Sequence, residues 1–160
     1  MTQVIYEKEV SEFSDTTKMD FIFMMLGARL GGGMSRAVFE FAYNPKLVVK
    51  IEDRARHFQN VLEHEIWGAL KDSDAAKWLA PVRGISRCGT ALLMERTEPL
   101  QGRQLPLRMP VWLTDYKIEN YGLLKGRVVC HDYGTAGSVV IGRGASKHTR
   151  RADWSGVIHV

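Results

Sequence analysis

Trp112-Leu113-Thr114-Asp115-Tyr116-Lys117-Ile118-Glu119-Asn120-Tyr121-Gly122 decides how this chain is read, together with Val128-Val129-Cys130-His131-Asp132-Tyr133-Gly134 a short turn later. The two runs gather two carboxylates, an amide and a lysine: Asp115, Asp132, Asn120 and Lys117. Between them, Leu123-Leu124, the turn Lys125-Gly126-Arg127 and Val128-Val129 have the pattern of a β-hairpin, apolar pairs on either side of a glycine-containing turn. A hairpin is the simplest way to bring Asp132 back beside Asn120.

Upstream, Leu30-Gly31-Gly32-Gly33-Met34-Ser35-Arg36-Ala37-Val38-Phe39-Glu40-Phe41 is a glycine-rich turn running into an alternating strand. Glycines let a backbone approach an anion closely, and their amides donate to it. Leu47-Val48-Val49-Lys50-Ile51 is an apolar run with one lysine inside it, preceded by the turn residues Asn44-Pro45. Burying an unpaired ammonium is costly, so Lys50 must reach water or an anion. A helix is expected from about His57 to Leu70, with Leu62, Ile66, Ala69 and Leu70 facing inward and Glu63 and Glu65 flanking that stripe from opposite sides. Trp78 to Ile85 reads as a short extended segment and turn, and Thr90 to Arg96 as the next strand.

Nearer the N-terminus, Ser14-Asp15 can cap a helix in which Met19 and Phe21 to Leu26 give a broad apolar surface ending at Gly27. That surface is expected to be mostly core, with a methionine-rich partner face as the alternative. Residues 1–13 alternate loosely, as an edge strand or extended arm would. From Pro99 to Met109 there is no periodicity, and Pro99, Gly102, Pro106 and Pro110 break any long helix.

In this order the motifs resemble those of protein kinases. Asp115, Lys117 and Asn120 follow the catalytic pattern H-R-D-x-x-x-x-N, and Asp132-Tyr133-Gly134 follows D-F-G. Gly31, Gly33 and Val38 fall on the glycine-loop pattern G-x-G-x-x-G-x-V, and Val48-Val49-Lys50 on V-A-I-K. The resemblance implies an α+β, protein-kinase-like fold: an antiparallel β-sheet N-lobe with an αC-type helix, and a strongly reduced C-lobe. It implies one domain over 1–160, with N-lobe and hinge at about 14–98 and the reduced C-lobe at 99–160. By the same resemblance Asp115 accepts the proton of an acceptor hydroxyl and Lys117 sits by the γ-phosphate. Lys50 binds phosphate and pairs with Glu63, Glu65 competing for that place. Gly31, Gly33 and Val38 cover the nucleotide, Met94 lines the adenine pocket, and Glu95 to Glu98 form the hinge. Asn120 and Asp132 hold Mg²⁺, whose preference is for oxygen ligands.

Four departures accompany the match. Leu113 and Thr114 replace the motif's His and Arg, so switching through a phosphorylated activation loop is not expected. Arg36 stands where the third glycine belongs, either contacting phosphate or pointing outward. Tyr133 replaces Phe, keeping the ring and adding a hydroxyl. Between Glu98 and Asp115 two helices do not fit at ~1.5 Å rise per residue with connections; residues 135–160 lack a full activation segment and its A-P-E motif.

The resulting expectation is an ATP- and Mg²⁺-dependent phosphotransferase, a minimal Ser/Thr kinase acting on a protein substrate, similar also to the small kinases of bacteriophages. The alternative is a pseudokinase-like protein that binds and inhibits a protein target. A homo-oligomer, in which a second copy supplies the missing lobe, is left open as a further partner.

The whole-chain numbers agree with this class. The 160 residues have 45% hydrophobic and 25% charged content, the make-up of one ordinary globular domain. No apolar run approaches the ~20 residues of a membrane span, and Met1 to Glu9 lacks a secretory pattern, so a cytoplasmic location is expected. Cys88 and Cys130 are only two and lie far apart, so a disulfide framework or cysteine zinc site has no support, and both are expected to be reduced and buried. His64-Glu65 has no second histidine at zincin spacing. The net charge of +4 suits a polyanion, but Lys147-His148-Thr149-Arg150-Arg151, the most basic stretch, reads as a solvated tail, making nucleic acid an unexpected partner.

Overall fold

Alternation along one strand sets the centre of the molecule. In β3 (Leu47–Glu52) successive side chains face opposite sides, so Val48, Lys50 and Glu52 share one face and Val49 the other. The computed structural model describes residues 14–33, 35–52, 58–100, 105–141 and 144–154. The arm expected over residues 1–13 and the helix start at His57 lie outside these.

Strand β3 runs between β2 (Arg36–Phe41) and β5 (Ala91–Glu95), and β1 (Leu26–Gly32) and β4 (Val82–Ile85) lie outside them. The sheet order is β1-β2-β3-β5-β4, antiparallel at every pairing. The glycine-rich segment is more extended than expected. Gly31 and Gly32 belong to β1, and the turn to β2 is closed by the Gly33 amide donating to the Arg36 carbonyl at 2.9 Å. At Gly32 an added Cβ would lie 2.8 Å from the Arg36 carbonyl oxygen, so close approach of two backbones requires glycine there.

One long helix crosses this sheet. It is preceded by α1 (Asp15–Met25) and is labelled α2 (Gln59–Leu70). Phe58, at the α2 N-cap, supplies no capping side chain. The carboxylate of Glu52, at the end of β3, does so instead, accepting the amides of Gln59 and Asn60 at 2.9 Å each. A negative group there also meets the positive end of the helix dipole. Asn60 is wholly buried, and its Nδ2 donates to the carbonyls of Lys50, Gly89 and Thr90 at 3.1–3.2 Å. Asn60→Ala is expected to destabilise the fold by about 1–3 kcal/mol, because those buried acceptors lose their donor; a shift in the urea midpoint at constant slope checks it.

The α1 helix corrects one expectation. Ser14 caps it as the sequence suggested, accepting from the Thr17 amide at 3.1 Å. Its apolar residues are not core: none of α1 is buried, and Phe23 is 62% exposed. Phe21 to Met25 follow one another instead of recurring every three or four positions, so they point around the helix and no single face can be covered.

The chain after β5 is built from short strands. Leu123 and its neighbours form the expected hairpin of β8 (Tyr121–Leu124) and β9 (Arg127–Cys130), with β6 (Glu98–Pro99) beside β8. Lys125 and Gly126 take φ values of 52° and 76°, the left-handed pair that a two-residue hairpin turn needs. The basic segment is not a free tail, since β10 (Thr149–Arg151) pairs antiparallel with β7 (Arg108–Pro110). Past β10, Trp154 packs edge-on against Tyr121 at 4.9 Å and donates to the Pro106 carbonyl at 3.0 Å. A short helix, α3 (Gly137–Val140), lies against α2.

One continuous core joins both halves. Ile66 of α2, Leu92 and Met94 of β5, Met109 of β7, and Trp112, Tyr133 and Val140 are all within it. Cys130 is buried as expected, but Cys88 is exposed. Among the described residues, no helix is long and apolar enough to cross a membrane.

Candidate functional site

The β2–β3 register determines which side chains meet. Val38 lies opposite Lys50, and Arg36 opposite Glu52. Directly paired residues share a face of the sheet, so Arg36, Val38, Lys50 and Glu52 form one row. Helix α2 lies beside this row and contributes Glu63, which is 0% exposed.

Lys50, 4% exposed, donates to both Glu63 oxygens, at 2.9 Å to Oε2 and 3.2 Å to Oε1. It also donates to the His131 carbonyl. The Tyr133 amide donates to Glu63 Oε1 at 3.2 Å, tying the segment after β9 to the same carboxylate. Of the two glutamates left open by the sequence, Glu63 is therefore the one paired with Lys50; Glu65 is exposed.

Arg36 points inward. Its Nη2 donates to Glu63 Oε1 at 3.0 Å and also to Asp132 Oδ1. The arginine side chain is only 8% exposed. Burial acts to lower its pKa, but Glu63 and Asp132 outweigh that and hold the guanidinium above its ordinary value. Burial likewise acts to raise Asp132, and Arg36 and Lys50 overcome it, leaving the carboxylate below its usual range.

Arg36, Lys50 and Asp132 of this cluster line an open cleft of about 2010 Å³. Small-molecule clefts commonly span ~300–1,000 Å³, so there is room for a nucleotide and part of a second substrate. Its lining includes Gly31, Gly33 and Val38, Met94 and Glu95, and Asp115, Lys117, Asn120 and Asp132. An added Cβ at Gly31 or Gly33 would meet nothing within 4 Å. Both positions face open space.

The hairpin performs the expected return. The amides of His131 and Asp132 both donate to the Asn120 carbonyl, at 2.8 and 3.3 Å. Asp115 lies 3.6 Å from the Lys117 ammonium. Leu113 and Trp112, just before it, are buried in the core and anchor this segment. Tyr133 keeps its ring in the core and donates its hydroxyl to the Ala80 carbonyl at 3.0 Å.

His131 was not singled out by its sequence context, yet it ties the two halves together. Its Nε2 meets the Glu119 carbonyl at 2.8 Å, which requires a proton on that nitrogen, so Nδ1 accepts from the Thr97 hydroxyl at 2.8 Å. Burial first, then Lys50, lowers its pKa to about 4, and the ring is neutral near pH 7.

At the expected hinge two amides are already used. Glu95 donates to the Pro81 carbonyl at 2.9 Å and Arg96 to the Lys46 carbonyl at 2.8 Å. The Glu95 carboxylate is paired with Arg83. An adenine base therefore cannot be read through those two N–H groups.

Magnesium is the metal that the sequence resemblance implies. Asn120 and Asp132 are oxygen donors of the right kind and line the same cleft. The arrangement does not fit the ion, however. Asp132 Oδ1 is held by Arg36. A dication beside a buried guanidinium would also meet a like charge at short range.

Neither protein-family models nor curated proteins give a match to this sequence.

Proposed function

We propose that this chain is an ATP-dependent phosphotransferase with a protein-kinase-like fold and a reduced C-terminal half, transferring the γ-phosphate to a protein hydroxyl. The observation that carries the reading is the buried Lys50–Glu63 pair, with Lys50 lining the same cleft as Asp115, Lys117 and Asn120. The five-stranded antiparallel sheet with one helix across it supports the finer fold.

In the proposed reaction the acceptor oxygen attacks the γ-phosphorus, and the bond from that phosphorus to the β,γ-bridging oxygen breaks. ADP leaves, and the acceptor's proton passes to the carboxylate of Asp115. Lys50 and Lys117, both on the cleft, offset the charge on the phosphates. Gly31 and Gly33 let the backbone lie close to them. Phosphoryl transfer depends mainly on such positioning and charge stabilisation.

One observation favours a second reading, a nucleotide-binding protein that blocks a partner without turnover: Asp132 is already engaged by Arg36. Incubation with γ-labelled ATP, a protein lysate and either EDTA or Mg²⁺ separates the two. Label on protein that disappears with Asp115→Asn is the expected result. Nucleotide binding without label in either buffer would sink the phosphotransferase and leave the second reading.

A further inference from the structure

Arg36 belongs to β2, yet its guanidinium sits between a carboxylate of α2 and one beyond β9. Arg36 and Lys50 are balanced there by Glu63 and Asp132, with the Glu52 carboxylate, which caps α2, also acting on Arg36. The position facing Asp132, where a divalent cation would neutralise a carboxylate, is filled by a covalently attached cation.

A guanidinium offers five donors in a rigid fork suited to bidentate contact with phosphate. In Arg36 the Nη2 is spent on the carboxylates, while Nη1 is buried and has no hydrogen-bond partner. A buried donor without an acceptor is rare in folded proteins and calls for an explanation. Arg36 also lines the cleft together with Gly31, Gly33 and Lys50, and basic side chains outnumber acidic ones along that lining. The lining as a whole therefore favours an anion.

We propose that Arg36 takes the place of a divalent cation in this cleft: it neutralises Asp132, sets a fixed guanidinium charge where the phosphates of a nucleoside triphosphate would lie, and lets that nucleotide bind without magnesium. This inference rests on the nucleotide-site reading above and adds the metal requirement to it. Asp132 then serves as a positioning residue for Arg36.

The test is calorimetric titration of the full chain with ATP, once in EDTA and once in excess MgCl₂. The wild-type dissociation constants are expected to agree within about threefold. Arg36→Gly, which supplies the absent third glycine, is expected to weaken binding in EDTA by about 10- to 100-fold, the range of one charge-assisted pair, and to recover on addition of Mg²⁺. Arg36→Lys keeps the charge without the fork and should fall between. Thermal unfolding of each variant shows that it is folded, and the wild-type comparison stands whether or not the glycine variant folds. Wild-type binding at least tenfold tighter in Mg²⁺, or Arg36→Gly unchanged in EDTA, overturns the inference while the nucleotide reading survives. No binding in either buffer overturns both.

Discussion

Asp115→Asn is expected to reduce label transfer by about 10²- to 10⁴-fold, the usual contribution of a positioned general base. The substitution keeps the side chain's shape and removes its charge. Asp115 lies on the cleft wall 3.6 Å from Lys117, whose side chain is 64% exposed, so the lysine left behind is solvated. Stability should therefore change by no more than roughly 0.5 kcal/mol. Removing a negative charge from the phosphate end should leave ATP affinity equal or slightly higher. The informative result is the split between rates and binding: transfer collapses while the ATP dissociation constant and the thermal midpoint hold. A fall of less than tenfold would show that Asp115 is not the base, and a parallel loss of affinity would show that it positions nucleotide instead.

The second large effect is on folding. Glu63→Ala is expected to cost about 3–5 kcal/mol, the range for removing one partner of a buried ion pair, against a total stability of about 5–15 kcal/mol for ordinary domains. Glu63 is fully buried and accepts from Lys50, Arg36 and the Tyr133 amide. Without it, two cations and one amide lose their shared acceptor; Arg36 keeps Asp132 and the pull of Glu52, and Lys50 keeps the His131 carbonyl. Glu63→Gln keeps one acceptor oxygen and should cost about 1–3 kcal/mol. Adding Lys50→Met to Glu63→Ala removes one of the stranded charges, so the double variant should be less destabilised than the sum of the singles. Urea unfolding followed by circular dichroism measures the wild type, the three single variants including Lys50→Met, and the double variant. Strict additivity would contradict the picture of one coupled cluster.

Local chemistry explains which parts of this site were legible in the sequence. The hairpin could be read because its turn residues are adjacent and its strands follow directly, so Asp132 returning to Asn120 required no long-range information. Lys50 stood out as a single charge in an apolar run. Glu63 and Glu65 could not be separated by pattern alone, as they flank the same stripe, and the approach of the Lys50 side chain decides between them. Arg36 was ambiguous for a related reason: its direction depends on the β2–β3 register, which places it in the row of Val38 and Lys50. The three-residue strands β7 and β10 are far apart in sequence and too short for periodicity, so their pairing left no local trace. Apolar content alone misassigned α1 to the core, since burial needs a face and its apolar residues do not make one.

The Glu52 cap gives α2 the mechanics of a lever with one pinned end. Its first two amides are held by a carboxylate at the end of β3, and Asn60 fastens the same turn to three carbonyls. Glu63 lies four residues from that pivot, about 6 Å along the axis at ~1.5 Å per residue, whereas Leu70 lies about 16 Å away. Any swing that carries the far end through about 3 Å moves the Glu63 position by only about 1 Å, so the fulcrum keeps the carboxylate in register with Lys50 while the other end follows its neighbours.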